Sequence, residues 1–251
     1  MRALYAVVYR ETKIRATNLT FILWDLFFPL LYMLVFGVGI NAALGAPTGL
    51  NGLDYNSFFL AGVLAMASFA IASNTSWSFF LDRDNGIFYE MLTYPMSRSE
   101  YLLGKVIFNV AIAVVQAVLT LFVGRVVLGI PVIWRALPLL LLGMALGTAG
   151  WFFFYAIFAL RIRRNDVFNS VTSVFYFVFM FASSMFYPLD PLPAWFRYLA
   201  LLNPITWQID WLRYTSIGVG NLRSLLIEVV CFLTFSVVSF LLAVRALQQQ
   251  E

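Results

Sequence analysis

The fold class this sequence predicts is an all-α integral membrane protein with six transmembrane helices. Three observations predict it. Six long apolar stretches separated by short polar breaks fill nearly all of the 251 residues, and only 11% of the residues are charged. A hydrocarbon core of about 30 Å is crossed by roughly 20 apolar residues in a helix, the length of run that recurs here. Runs such as 106–123 and 167–187 are apolar on successive residues, not on alternate ones, which excludes the strands of a β-barrel.

The first fifteen residues place Leu4, Val7, Val8 and Ile14 among Arg2, Arg10, Lys13 and Arg15 at loosely helical spacing, which predicts an amphipathic helix at the membrane interface. Those cations precede an apolar run as in a secretory signal, but the run of 19–40 exceeds the roughly 7–15 apolar residues of one, so a retained first span is expected. That span, 19–43, carries Asp25 and Pro29, and the proline removes a helical hydrogen bond. Turn residues Gly45, Pro47, Gly49 and Gly52 lead to the second span, 56–80. A charged interval, 82–105, precedes the third span, 106–128, which Gly129 and Pro131 end. The fourth, 136–160, contains Gly143 and Gly147, a spacing that lets two helix backbones approach closely. The fifth is 167–187, the interval 188–223 is semi-polar, and the sixth is 225–246. The whole of 1–251 reads as a single transmembrane domain.

Lys and Arg placement orients the bundle. Assigning alternate loops to alternate faces puts Arg2, Arg10, Lys13, Arg15, Arg83, Arg98, Lys105, Arg161, Arg163, Arg164 and Arg245 on one side. Arg125, Arg135, Arg197, Arg213 and Arg223 fall on the other, so both termini are expected in the cytoplasm. Asp25 in span one and Glu228 in span six are costly if left in lipid and are expected to face protein; Arg125 lies at a depth that would let it pair with Glu228. All three read as structural charges. Asp210 and Arg213, three residues apart, predict a local ion pair.

Several chemistries are excluded. No histidine is present, which removes a Ser-His protease and a His-ligated zinc site, and the one cysteine, Cys231, has no disulfide partner. No Gly-x-x-x-x-Gly-Lys-Ser/Thr run occurs, so the chain is not expected to bind nucleotide by that device, and neither metal nor nucleic acid is expected as a ligand. An enzyme is disfavoured, and energy must come from another chain.

Two intervals carry a family resemblance. Residues 82–105 read DRDNGIFYEMLTYPMSRSEYLLGK, with Phe88, Met91 and Leu92 on one helical face and Gly86 and Pro95 bracketing about two turns: a short amphipathic helix parallel to the membrane. Residues 183–213 read SSMFYPLDPLPAWFRYLALLNPITWQIDWLR, where Pro188, Pro191, Pro193 and Pro204 divide the chain into two short helices expected to dip back into the outer leaflet. Trp195, Tyr198, Trp207, Trp211 and Tyr214 suit the headgroup level there. Gly86, Glu90, Leu92, Pro95, Ser97, Leu102, Gly104 and Lys105, followed by Phe186, Pro188, Leu192, Pro193, Asn203, Pro204, Asp210, Leu212 and Arg213, resemble the permease subunits of type-2 ABC exporters. That class includes daunorubicin, nodulation-factor and polysaccharide exporters. Ser184 stands where the family has glycine.

The resemblance implies that the short helix after span two is a coupling helix docking on a cytoplasmic ABC ATPase, with Arg83, Asp84, Gly86, Glu90, Met91, Leu92, Pro95 and Arg98 as the contact. It implies two ATPase copies that bind the ATP and Mg, a second copy of this chain, surrounding lipid, and a bacterial or archaeal inner membrane. Spans one, two and five would line the route, with Tyr32, Phe36, Phe59, Phe69, Trp77, Phe175 and Phe179 as candidate path residues. The expected cargo is an amphipathic small molecule, drug or lipid-like compound leaving the cytoplasm; the alternatives are a polysaccharide or lipid-linked glycan, or a scaffold subunit that transports nothing.

Overall fold

The computed structural model describes residues 2–44, 53–93 and 95–249; the glycine- and proline-rich turn at 45–52 lies outside them. The described residues are all-helical, with no strand among them. In order they form α1 (Arg2–Thr17), α2 (Leu19–Tyr32), a π-helical turn (Met33–Gly37), α3 (Val38–Leu44), α4 (Tyr55–Asp84) and α5 (Ile87–Thr93). There follow α6 (Arg98–Val127), α7 (Leu137–Arg161), α8 (Asn165–Phe181), α9 (Ala194–Leu202), α10 (Pro204–Ile217) and α11 (Leu222–Gln248). Five helices are long and apolar enough to cross a membrane: Ile22–Ala43, Tyr55–Asp84, Arg98–Val127, Trp134–Arg161 and Leu222–Gln248.

Pro29 does not break the first of these. The helix runs on past it and widens into the Met33–Gly37 turn, where Gly37 lies so close to Asn56 of α4 that a Cβ would fall 2.8 Å from its Oδ1. Helix α4 is the central pillar: residues such as Leu60, Leu64 and Phe69 are inaccessible and its buried positions run right round the helix, as in a helix surrounded by protein. By contrast α2 and α11 present Leu23, Trp24, Phe27, Leu226, Val230 and Leu241 outward.

The third span starts at Arg98, well before the expected 106. Ser97 accepts from the Glu100 backbone N–H at 3.1 Å while the Glu100 carboxylate accepts from the Ser97 N–H at 2.9 Å, a capping box that nucleates the helix outside the apolar run. The fifth expected span is shorter than 167–187: α8 ends at Phe181. Its last carbonyls are taken by a side chain from elsewhere, since Asn203 Nδ2 donates to Phe179 O at 2.9 Å and Ala182 O at 2.7 Å, and the chain beyond turns irregular.

Gly143 and Gly147 place α7 against α10. A Cβ on Gly147 would stand 2.0 Å from Gln208 Nε2, and one on Gly143 3.0 Å from Trp211 Nε1. Neither side chain is free to swing, because Gln208 accepts from Trp151 Nε1 at 2.7 Å and Trp211 donates to Leu139 O at 3.2 Å. Gly147→Ala is therefore expected to destabilise the bundle by about 1–3 kcal/mol through overpacking. The unfolding midpoint of the purified protein checks this; an unchanged midpoint would mean that Gln208 yields without loss. Trp211, expected at the headgroup level, is thus an interior residue.

Candidate functional site

Gly86, at φ +72°, reverses the chain between α4 and α5, a backbone conformation that side chains rarely adopt. Helix α5 is fastened to the bundle by Phe88, which is fully buried between Phe79 and Tyr101 with ring centroids 6.4 and 6.5 Å away. Met91 packs on the core while Asp84, Glu90 and Pro95 face outward and Arg98 is half-buried. Leu92 belongs to α5, but its side chain lies outside what the structure describes.

Arg83 is placed differently from the other candidates. Its guanidinium donates to the carbonyls of Ile162 at 3.2 Å, Ala159 at 3.3 Å and Leu160 at 3.4 Å, and stands over the rings of Phe80 and Phe88. A cation capping the carbonyl end of α7 ties the α4–α5 corner to the fourth span.

Behind α5 sits a layer of buried charge that the sequence reading missed. Lys105, completely inaccessible, contacts Asp82 Oδ2 at 2.6 Å, Glu11 Oε1 at 2.9 Å and Ser78 Oγ at 3.0 Å. Arg10 bridges Asp82 and Glu11, and Tyr101 Oη donates to Asp82 at 3.3 Å. A second pair lies beside it, Arg15 with Asp25 at 3.4 Å, where Asn74 also donates to Asp25 at 2.7 Å. Each buried charge thus has a partner, the condition for its being tolerated out of water. Helix α1 is consequently seated on protein, not only on a membrane surface: Val7 is buried against α6 at Gly104, where a Cβ would come within 2.6 Å of it. The Leu102, Gly104 and Lys105 of the motif therefore supply core, close approach and charge. A signal existed in Glu11 and Lys105, charges at the edges of apolar runs, but not in their distance along the chain.

At the opposite end the expected pair is present, with Arg213 Nη1 2.7 Å from Asp210 Oδ1. Arg213 also donates to Ser184 O at 2.7 Å and lies 4.2 Å from the Phe58 ring centroid, while Ser184 Oγ reaches Asp210 at 3.2 Å. The serine that replaces the family glycine is thus part of this junction. Arg125 and Glu228 are not brought together. Gly129, at φ +70°, folds the end of α6 so that Arg125 donates to Ile130 O at 3.4 Å, whereas Glu228 borders a cavity of about 150 Å³ with Asp210 and Arg213.

The seven candidate path residues do not share one surface. Phe59 and Phe69 are fully buried, Phe69 meeting Trp151 edge-on at 4.6 Å; Trp77 donates to Asn165 Oδ1 at 2.7 Å. Phe175 and Phe179 are half-buried against α7, and of the seven only Phe36, stacked on Tyr32 at 5.0 Å, is exposed. An aromatic residue in an all-apolar helix gives no sign of which face it occupies.

A bundle with five helices long and apolar enough to cross a membrane, and a short helix pinned to it by Phe88, has the form of a multi-pass membrane protein. The chain belongs to the ABC-2 type transporter membrane family, whose model matches residues 2–217. It is similar to transport permease ycf38 of Cyanophora paradoxa (28% identity over 190 residues), of Porphyra purpurea (24% over 189) and of Pyropia yezoensis (25% over 201). Each match covers 74% of this chain and 64% of the relative, so the chain spans somewhat under two thirds of the length of these curated relatives.

Proposed function

We propose that this chain, as one permease domain over 1–251, is the membrane subunit of an ATP-driven exporter. In this reading six helices cross the membrane: α8 is the fifth, its 17 residues giving about 26 Å, enough with a modestly thinned bilayer. The pair α9 and α10 enters the outer leaflet without crossing, and both termini lie in the cytoplasm of a bacterium or archaeon. Two copies face each other, each with one ATPase subunit that holds ATP and Mg. The observation that carries the reading is α5: a helix with its apolar side locked in the bundle and Glu90 outward, on the face that collects most of the cations.

Closure of the ATPase pair would draw the two α5 helices together and open the seam between permeases to an amphipathic cargo. The rigid seating of Phe88 and Arg83 supports such a transfer, since a load on α5 passes directly to α4 and α7. The test is a mild-detergent pull-down from the native host. A stoichiometric ATPase that co-purifies and hydrolyses ATP is expected; its reproducible absence, with the dimer intact, would overturn the exporter reading.

A further inference from the structure

At the end of the bundle that holds the Asp210–Arg213 pair, α9, α10, the start of α4 and the irregular segment after α8 surround a cavity of about 510 Å³. Its polar wall residues are Ser184, Asp190, Arg197, Tyr198, Asp210 and Arg213, so two arginines face two aspartates and the wall carries no net charge.

These groups divide into a fixed half and an open half. Arg213, held over the Phe58 ring, commits Nη1 to Asp210 Oδ1 and Nη2 to Ser184 O, both at 2.7 Å, and Ser184 Oγ also donates to Asp210 Oδ1. Two atoms are left over among the described residues: Arg213 Nε, buried without an acceptor, and Asp210 Oδ2, without a donor. The open half is Arg197, half-buried on α9, and Asp190, exposed on the segment before it. Their side chains make no ion pair or hydrogen bond among the described residues, not even with each other, although both border the one cavity.

Uncommitted N–H groups of both arginines therefore share the cavity with uncommitted oxygens of both aspartates. A lone anion would answer Arg197 and cover two carboxylates that repel it; a lone cation would do the converse. An uncharged hydroxyl compound would take water from Arg197 and Asp190 without supplying a counter-charge to either, the costly way to cover an ion. A ligand that carries an oxyanion and an ammonium together supplies charge-assisted hydrogen bonds to both. Beside Arg197, Trp195, Leu199 and Leu202 are exposed at spacings of four and three, which puts them on one apolar face of α9.

We infer that this cavity binds a zwitterion whose oxyanion meets Arg197 and Arg213 Nε and whose primary ammonium meets Asp190 and Asp210 Oδ2. Two sources present that chemistry, the headgroup of an aminophospholipid lying against α9 and a free aminoalkyl phosphate. The inference goes beyond the exporter reading and does not depend on it, because no ATPase takes part in the binding.

The experiment uses the full chain in dodecyl maltoside micelles, whose heads are uncharged, and measures binding of three radiolabelled probes in excess of that to empty micelles. The probes share two decanoyl chains and carry a phosphoethanolamine, a phosphoglycerol or a trimethylammonium head. Saturable binding of the phosphoethanolamine probe alone is expected. Arg197→Gln and Asp190→Asn, both at open positions, should each weaken it roughly tenfold, the lower end for a hydrogen bond to a charged group, with the unfolding midpoint unchanged. Asp190→Asn should also raise binding of the phosphoglycerol probe, because it removes a repelling carboxylate, an effect that a merely structural Asp190 would not produce. Glycerophosphoethanolamine, the same head without chains, separates the sources: displacement at comparable concentration assigns the site to a free solute, and failure to displace assigns it to lipid. No saturable binding of the phosphoethanolamine probe, binding indifferent to both variants, or a singly charged probe bound as tightly by the unaltered chain would overturn the inference.

Discussion

Lys105→Ala is expected to destabilise the protein by about 3–5 kcal/mol, because it removes one member of a buried ionic cluster and strands the others. Lys105 reaches Glu11, Asp82 and Ser78, and without it the two buried carboxylates share the half-buried Arg10. Helix α1 should loosen first, since the contacts that hold it to α4 and α6 run through this cluster and through Val7 on Gly104. The readouts are the unfolding midpoint and tryptic cleavage at Arg10 and Lys13, which the seated helix should resist. Lys105→Met paired with Glu11→Gln should lose less than the sum of the single changes, since each removes a charge the other neutralises. A Lys105→Ala protein with unchanged midpoint and a protected α1 would show that apolar packing alone seats the helix.

Glu90→Arg, or deletion of 90–92, is expected to reduce transport to background while leaving membrane insertion unchanged. Glu90 is exposed on α5 and Phe88, the residue that fixes the helix, is untouched. The point change should therefore move stability by no more than about 0.5 kcal/mol, the range of surface substitutions. Its effect would appear as loss of ATPase co-purification. Transport retained by Glu90→Arg would remove α5 as the docking element. Arg83→Ala differs in kind: it would release the α7 carbonyl end, so a transport defect there would come with a stability defect.

Much of this molecule was legible in the linear chain, and for stated reasons. A bilayer demands about 20 apolar residues per crossing, so long runs announce spans whatever they pack against. Local signals worked at Gly86, where positive φ is needed, and at Gly143 and Gly147, where two helices nearly touch. The Asp210–Arg213 pair was visible because both partners lie on one helical turn. The capping box at Ser97 and Glu100 was present in the sequence but overlooked beside the stronger apolar pattern.

The sequence by itself therefore determined that the chain is helical, that it enters a membrane, where most helices run, and which intervals interrupt them. Tertiary structure alone decided who faces whom. Phe59 and Phe69 are buried in the core, Arg125 turned to the end of its own helix, and Lys105 found Glu11 at 94 residues' separation. The physical reason is that both faces of a membrane helix are apolar, one toward lipid and one toward protein, so periodicity carries little information about burial. Buried charges must be paired, but Coulomb attraction depends on distance in space, which a linear chain records only when partners are neighbours.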